Sequence, residues 1–271
     1  MKLPALAVAC AACLSACSDG AVNPTSPSPA ESRAEASAAF PLHGVVQDAA
    51  FRPLPGAIVE VISGPSAGLT ATADGSGEFW LTGAFNAGTL FRASKDGHVP
   101  RVQPWTCSVG GCSATTGARP SLIFQLDVTM APVNIAGQYR MIFTADSACL
   151  DLPASLRTRT YRATVTRRTG PDRATGYTVM LSGAEFMGNL SKFEIGVAGD
   201  YLGFWLFGGH NAAIVELTES FSVAISGNAS ASIDATRVIT ASFDGWIEHS
   251  GGGDYSHCES PNHRLTLIPD P

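Results

Sequence analysis

Positive charge is in short supply in this 271-residue chain: 17 Lys and Arg face 23 Asp and Glu, for a formal net charge of -6 and a pI near 5.5. With no diffuse basic field, binding to a phosphate backbone has nothing to drive it, and no nucleic acid is expected as a partner. Long apolar runs are missing as well. The longest near the start, Leu3 to Ala12, is too short to span a bilayer as a helix. Little helix is expected, because the 28 Gly and 17 Pro follow no period and separate short Val-, Thr- and Phe-rich runs, as in a strand-and-turn protein. Also missing is any Ser, His and Asp set, or paired carboxylates, in a context that supports catalysis, so neither an enzyme nor a cofactor is expected. What is present is apolar substance: 45% of residues are hydrophobic, and the length suffices for two ordinary domains with a core each.

The N-terminus has the organisation of an address and an anchor. Met1 and Lys2 form a minimal positive region, and residues 1 to 16 read as a signal peptide with its apolar stretch. The end of that stretch, Leu14-Ser15-Ala16-Cys17, resembles the bacterial lipobox, which implies lipidation at Cys17 and a membrane partner through the lipid anchor. Ser18 in the next position, rather than Asp, resembles lipoproteins sorted to an outer membrane, so a lipid-anchored place in the cell envelope is expected. Residues 17 to 40 are Pro/Ser/Ala-rich, with too few large apolar residues to offset the entropy of ordering, and are expected to be a disordered tether.

A first all-β domain is expected over residues 41 to 132. Leu42 to Asp48 and Pro53 to Val61 are two strand-like runs, with Ala57, Val59 and Val61 on one face. Asp74-Gly75-Ser76-Gly77 is a tight turn into a strand, and Asp96-Gly97 closes another. The Gly-Ala-x-Val strand followed by an Asp-x-x-Gly-x-Phe turn resembles the carboxypeptidase regulatory-like domain. That resemblance covers residues 41 to 105 and implies a seven-stranded prealbumin-like β-sandwich with a display role and no peptidase activity. Three motifs here point to plainer readings. Gly64-Pro65-Ser66-Ala67-Gly68 fits a nucleophile elbow in letters, but a strand follows it instead of a helix. Asp74, Ser76 and Glu78 begin like a calcium loop that has no later glutamate. Cys107 and Cys112 lack a second ligand pair, and a small hairpin disulfide is favoured.

A second all-β domain is expected over residues 133 to 271, as an antiparallel meander forming a barrel or a sandwich. Alternation gathers Tyr139, Met141 and Phe143, then Tyr161, Ala163 and Val165, then Tyr177, Val179 and Leu181 on one face. It continues with Phe193, Ile195 and Val197, Phe221, Val223 and Ile225, and Ile239, Ala241, Phe243 and Ile247. Tyr201 to Phe207 is apolar on both faces, so it is either a covered central strand or one facing the first domain. Gly137-x-Tyr139 with Phe143-Thr144-Ala145, the Cys149 loop, Arg159-Thr160-Tyr161, and the late Cys258 and His263 resemble a C-terminal β domain of bacterial lipoproteins without assigned function. Removing Cys10, Cys13 and Cys17 from the seven cysteines leaves four; local pairing joins Cys107 to Cys112, and closure of the second sheet joins Cys149 to Cys258.

Functional expectations are correspondingly broad. The leading one is a non-enzymatic, lipid-anchored envelope protein acting as a display or binding module, with carbohydrate or another envelope protein as candidate partners. Tyr139, Tyr161 and Tyr177 would line a barrel interior as a ligand surface. The dense group Glu248, His249, Asp254, His257, Cys258, Glu259 and His263 offers an alternative, an envelope hydrolase or metal-binding protein using the 248 to 263 loop, although no metal is expected there. A third alternative is a structural spacer.

Overall fold

The structure is a computed structural model that describes residues 39–106, 121–168, 174–207, 212–218, 220–233 and 237–271. The expected signal peptide, Cys17, the tether up to residue 38, and Cys107 and Cys112 lie outside the described residues. Regular structure among the described residues is β-strand apart from one 3-10 turn, Ala154–Leu156, and no described helix is long and apolar enough to cross a membrane.

The first seven strands form the sandwich. They are β1 Phe40–Asp48, β2 Ile58–Val61, β3 Thr70–Thr72, β4 Glu78–Gly83, β5 Leu90–Ser94, β6 Arg101–Pro104 and β7 Ser121–Leu126. One sheet has the order β4-β1-β7, with β1 and β7 parallel, and the other has the order β3-β2-β5-β6. Strand β1 alternates strictly between buried and less buried residues, which puts Leu42 and Val46 into a core with Val59, Val61, Phe79, Phe91 and Phe124. Two of the three motifs with plainer readings turn out to be structural. Ser66 Oγ accepts the Ala84 amide at 2.8 Å, and Asp74 Oδ1 accepts the amides of Ser76 at 2.9 Å and Glu78 at 3.0 Å.

The remaining strands form a closed antiparallel barrel. They are β8 Gly137–Thr144, β9 Thr158–Arg167, β10 Gly176–Ser182, β11 Phe186–Ala198, β12 Tyr201–Leu206, β13 Ile214–Leu217, β14 Phe221–Ser232, β15 Ile239–Gly251 and β16 Asp254–Pro269. Pairing runs around from β8 through β9, β10, β11, β12, β14, β15 and β16 back to β8, which closes eight positions. One position is filled by two short strands: β12 pairs with β14 from Tyr201↔Ser232 to Leu206↔Gly227, and β13 pairs with the other half of β14 from Ile214↔Ile225 to Leu217↔Ser222. Closure leaves no open edge around the ring of described strands, which resolves the choice between barrel and sandwich for this half.

Cys149 and Cys258 form a disulfide with their Cα atoms 5.7 Å apart, across 109 residues of sequence. Cys258 sits within β16, opposite Ile247, and not in a loop beside it. Residues 37–271 are one compact unit with two hydrophobic cores, one in each half.

Candidate functional site

An eight-stranded barrel has an interior just wide enough for its own side chains. Here Tyr139, Tyr161 and Tyr177 are part of that filling, each 1 to 2% exposed. Their hydroxyls are engaged internally: Tyr139 donates to Ile135 O at 2.9 Å, Tyr177 to Val133 O at 3.2 Å and Tyr161 to Glu216 at 3.0 Å. The ligand surface expected from these tyrosines is therefore corrected to core. Buried beside them, Glu216 receives the Arg159 guanidinium through both Nε and Nη2, and burial followed by the Glu216 charge raises the Tyr161 phenol above its ordinary pKa. This is an internally neutralised cluster rather than an open site.

The 248 to 263 segment is corrected too. It is a long hairpin turning at Gly252 and Gly253, both at positive φ, and not a loop. Pairing sets Glu248 opposite His257, 3.9 Å apart at the surface. His249 and His263 are buried on the other face, where His249 Nδ1 meets Ser222 O and His263 Nδ1 accepts the Asp146 amide at 2.9 Å. The suspected ligands are thus split between two faces. Among the described residues, the group close enough to hold a metal is Cys149, Cys258 and His263, whose two sulfurs are joined to each other.

A different site forms where the sandwich meets the barrel wall. The turn after β1 places Ala49 and Ala50, both buried, against two barrel glycines. A Cβ on Gly196 would lie 1.8 Å from Ala49 O, and one on Gly203 would lie 2.0 Å from Ala50 O. Only glycine permits this approach, so Tyr201 to Phe207 is the strand facing the first half, the second of the two expected alternatives. The turn itself is built on the buried Asp48. Its Oδ1 accepts the amides of Ala50 at 2.8 Å and Arg52 at 3.0 Å, and its Oδ2 accepts Arg52 Nε at 2.6 Å. Hydrogen bonds to a charged acceptor contribute about 1.5–3 kcal/mol each, enough to hold Phe51 at a φ of 66°, a strain of about 1–3 kcal/mol.

The strained residue carries an aromatic ring onto the barrel. Phe51 lies 5.7 Å from Trp205 between ring centroids, Trp205 lies 4.7 Å from Phe207, and the Arg52 guanidinium stands 4.2 Å over the Tyr201 ring. Trp205 and Phe207 are 45% and 41% exposed, an unusual outlay of aromatic surface for an outer barrel wall. The adjoining cleft has a volume of about 350 Å³ and is completed by Asn228, Ser230, Ser242 and Asp244, all exposed. Asn228 pairs with both Trp205 and Asp244 across the sheet, so an aromatic ring, a carboxamide and a carboxylate stand in one row. Such a row offers a flat apolar face and several hydrogen-bonding groups to one small ligand.

Asp48, Phe51, Arg52, Trp205, Asn228 and Asp244 were not singled out from sequence. The available signal was the aromatic alternation Trp205-x-Phe207 on an outward face, next to glycines that make room for a neighbour.

These features define an all-β protein in which a seven-stranded sandwich meets a closed eight-stranded barrel at the turn after β1 and at Asp127, which accepts the Thr175 amide, with a cleft beside the turn. The chain matches no protein-family model, no curated protein and no solved structure.

Proposed function

We propose that this protein is a non-enzymatic carbohydrate-binding module of the bacterial cell envelope, held to a membrane by acyl chains on Cys17. The cleft at Trp205 carries the reading. A sugar ring presents a C–H face that packs on an aromatic ring and a rim of hydroxyls that both donate and accept. Trp205, with Phe51 and Phe207 beside it, supplies the first surface, and Asn228, Asp244, Ser230 and Ser242 supply the second. The filled barrel interior leaves the outer wall as the place for a ligand. The lipobox-like Leu14-Ser15-Ala16-Cys17 and the sandwich's resemblance to carboxypeptidase regulatory-like domains support display from a membrane surface.

The test is a glycan array probed with the full chain in detergent, alongside Trp205→Ala. Reproducible glycan signals that the variant loses are expected. An array without signals, or signals that Trp205→Ala retains in full, overturns the proposal. Intact mass reports the anchor: an acylated N-terminal cysteine at position 17 is expected, and cleavage elsewhere refutes it.

A further inference from the structure

A second hollow, of about 590 Å³, lies on the outer wall of the barrel and is lined by Gln138, Arg140, Thr160, Arg162, Gly183 and Asp270. It stands on the far side of the ring from Trp205, since four positions separate β8 from β12 and β9 from β14. Its two arginines are direct cross-strand partners: Arg140 on β8 pairs with Arg162 on β9, and both are exposed. Side chains paired in this way have Cβ atoms about 4.5–5.5 Å apart, a distance at which like charges oppose the pairing. The row continues through Ile268 beside Arg140 and Ser182 beside Arg162, neither of which carries charge.

No internal anion offsets the repulsion. Arg52, Arg92, Arg159 and Arg168 each have a carboxylate partner, whereas among the described residues no ion pair or hydrogen bond engages the guanidinium of Arg140 or Arg162. The groups around them add further donors. Thr164 donates its hydroxyl to Gln138 Oε1 at 2.9 Å, which leaves both hydrogens of the Gln138 carboxamide uncommitted, and Thr160 adds a hydroxyl. A Cβ on Gly183 would lie 3.8 Å from Arg162 Cγ, so the bend after β10 backs the Arg162 stem. The carboxylate in the lining, Asp270, sits at the Gln138 end, where its amide bonds Gln138 O at 2.9 Å.

This donor set selects among anions. A guanidinium presents two parallel N–H groups to one edge of an oxyanion. A carboxylate has one such edge and satisfies one fork, whereas a phosphate monoester offers three terminal oxygens and close to two charges, enough for both forks at once. Asp270 at the end of the hollow repels a second anionic group, so a polyanion is disfavoured. From this arrangement we propose that the hollow binds a single terminal phosphate, a monoester carried on a small sugar or on a lipid head group. Arg140 and Arg162 hold it from adjacent strands, and Gln138 and Thr160 donate to its remaining oxygens. The bound phosphate also removes the repulsion between the two arginines.

Titration calorimetry at low salt tests this on the full chain in an uncharged polyoxyethylene detergent. The probes are glucose phosphate, dihexanoyl phosphatidic acid and inorganic phosphate, with acetate and dihexanoyl phosphatidylglycerol as comparisons. At least one of the two monoesters is expected to bind, and which of them binds more tightly tells a soluble source from a lipid one. Arg140→Ala and Arg162→Ala should each weaken it about tenfold, and Arg162→Lys, which keeps the charge without the fork, should restore part of the loss. Trp205→Ala should leave it unchanged. Absence of monoester binding, binding of acetate or of the diester phosphatidylglycerol as tight as that of the monoesters, or affinity that both arginine-to-alanine variants retain overturns the proposal. Melting at low salt gives a second reading: without phosphate each alanine variant should melt no lower than wild type, and the monoester should raise the Tm of wild type alone. A lower Tm of both variants without phosphate shows that the arginines are already held by the protein itself and overturns the site.

Discussion

Replacing Gly203 by Ala should undo the docking of the sandwich turn on the barrel. The added Cβ would sit 2.0 Å from Ala50 O and 2.7 Å from Ala50 C, both backbone atoms, so no side-chain rotation relieves the overlap. To reach ordinary contact near 3.4 Å, the turn must retreat by about 1.4 Å. That movement pulls on the Asp48 hydrogen bonds and separates Phe51 from Trp205. Overpacking of this kind costs about 1–3 kcal/mol, which for a chain of this size lowers Tm by roughly 2–12 °C. Thermal unfolding followed by tryptophan fluorescence reads both effects, since Trp205 lies at the joint. The control is Gly75→Ala, where an added Cβ meets nothing within 4 Å. If Gly203→Ala melts within 1 °C of wild type with unchanged emission, the close approach is not a feature of the protein in solution and the cleft loses its construction.

Removing the Cys149–Cys258 disulfide, by Cys149→Ala with Cys258→Ala, should cost about 4–5 kcal/mol in the chain-entropy model; an unchanged urea midpoint would refute a closing role. Arg159→Met should destabilise by roughly 3–5 kcal/mol, because Glu216 is left charged and buried, and adding Glu216→Leu should recover most of it in urea unfolding. Acid should weaken the fold in two stages, because burial lowers the His263 pKa and hydrogen bonds from Ala148 and Ser260 lower Asp146 to about 2, so both groups bind protons more readily when unfolded. Stability from His263 is present above its unfolded value near 6.5 and fades as pH falls below it, that from Asp146 fades below about 4, and His263→Gln should erase the first stage alone in Tm measured across pH.

How far the sequence reveals this architecture depends on the range of the interaction involved. Two-residue alternation is local, and it placed Tyr139, Tyr161, Val179, Ile195, Val223 and Phe243 on the buried face correctly because each strand has one wet side. The disulfide was legible through cysteine parity on the supposition that the second sheet closes, which makes its first and last strands neighbours. Barrel closure was not decidable, because it depends on pairings such as β10 with β11 that leave no mark distinguishing a barrel from two facing sheets. Density misled at 248 to 263: alternation sends His249 inward and away from Glu248, and an irregularity in β16 between Ser260 and His263, which alternation does not foresee, turns His263 to the buried face although it stands six residues from the exposed His257. Phe51 and Arg52 sit in an ordinary-looking turn, and only the docking on Gly203 gives them a partner in Trp205 and Tyr201.

The sandwich therefore does more than sit beside the barrel. The barrel wall at Gly196 and Gly203 has no side chains of its own, and without a neighbour it would expose backbone and the edge of Trp205. The turn covers that gap with Ala49 and Ala50, and what it adds beyond cover is Phe51 and the Arg52 guanidinium, both at the rim of the cleft. Asp48 is buried and bonded entirely within the turn, so the shape of the turn is fixed before it meets the barrel. Preorganisation on one side and missing side chains on the other let two separately cored halves build one wall of a site with little conformational cost on binding. A ligand there contacts both halves at once, and its binding should therefore tighten their association by the same free energy that the docked arrangement adds to its affinity.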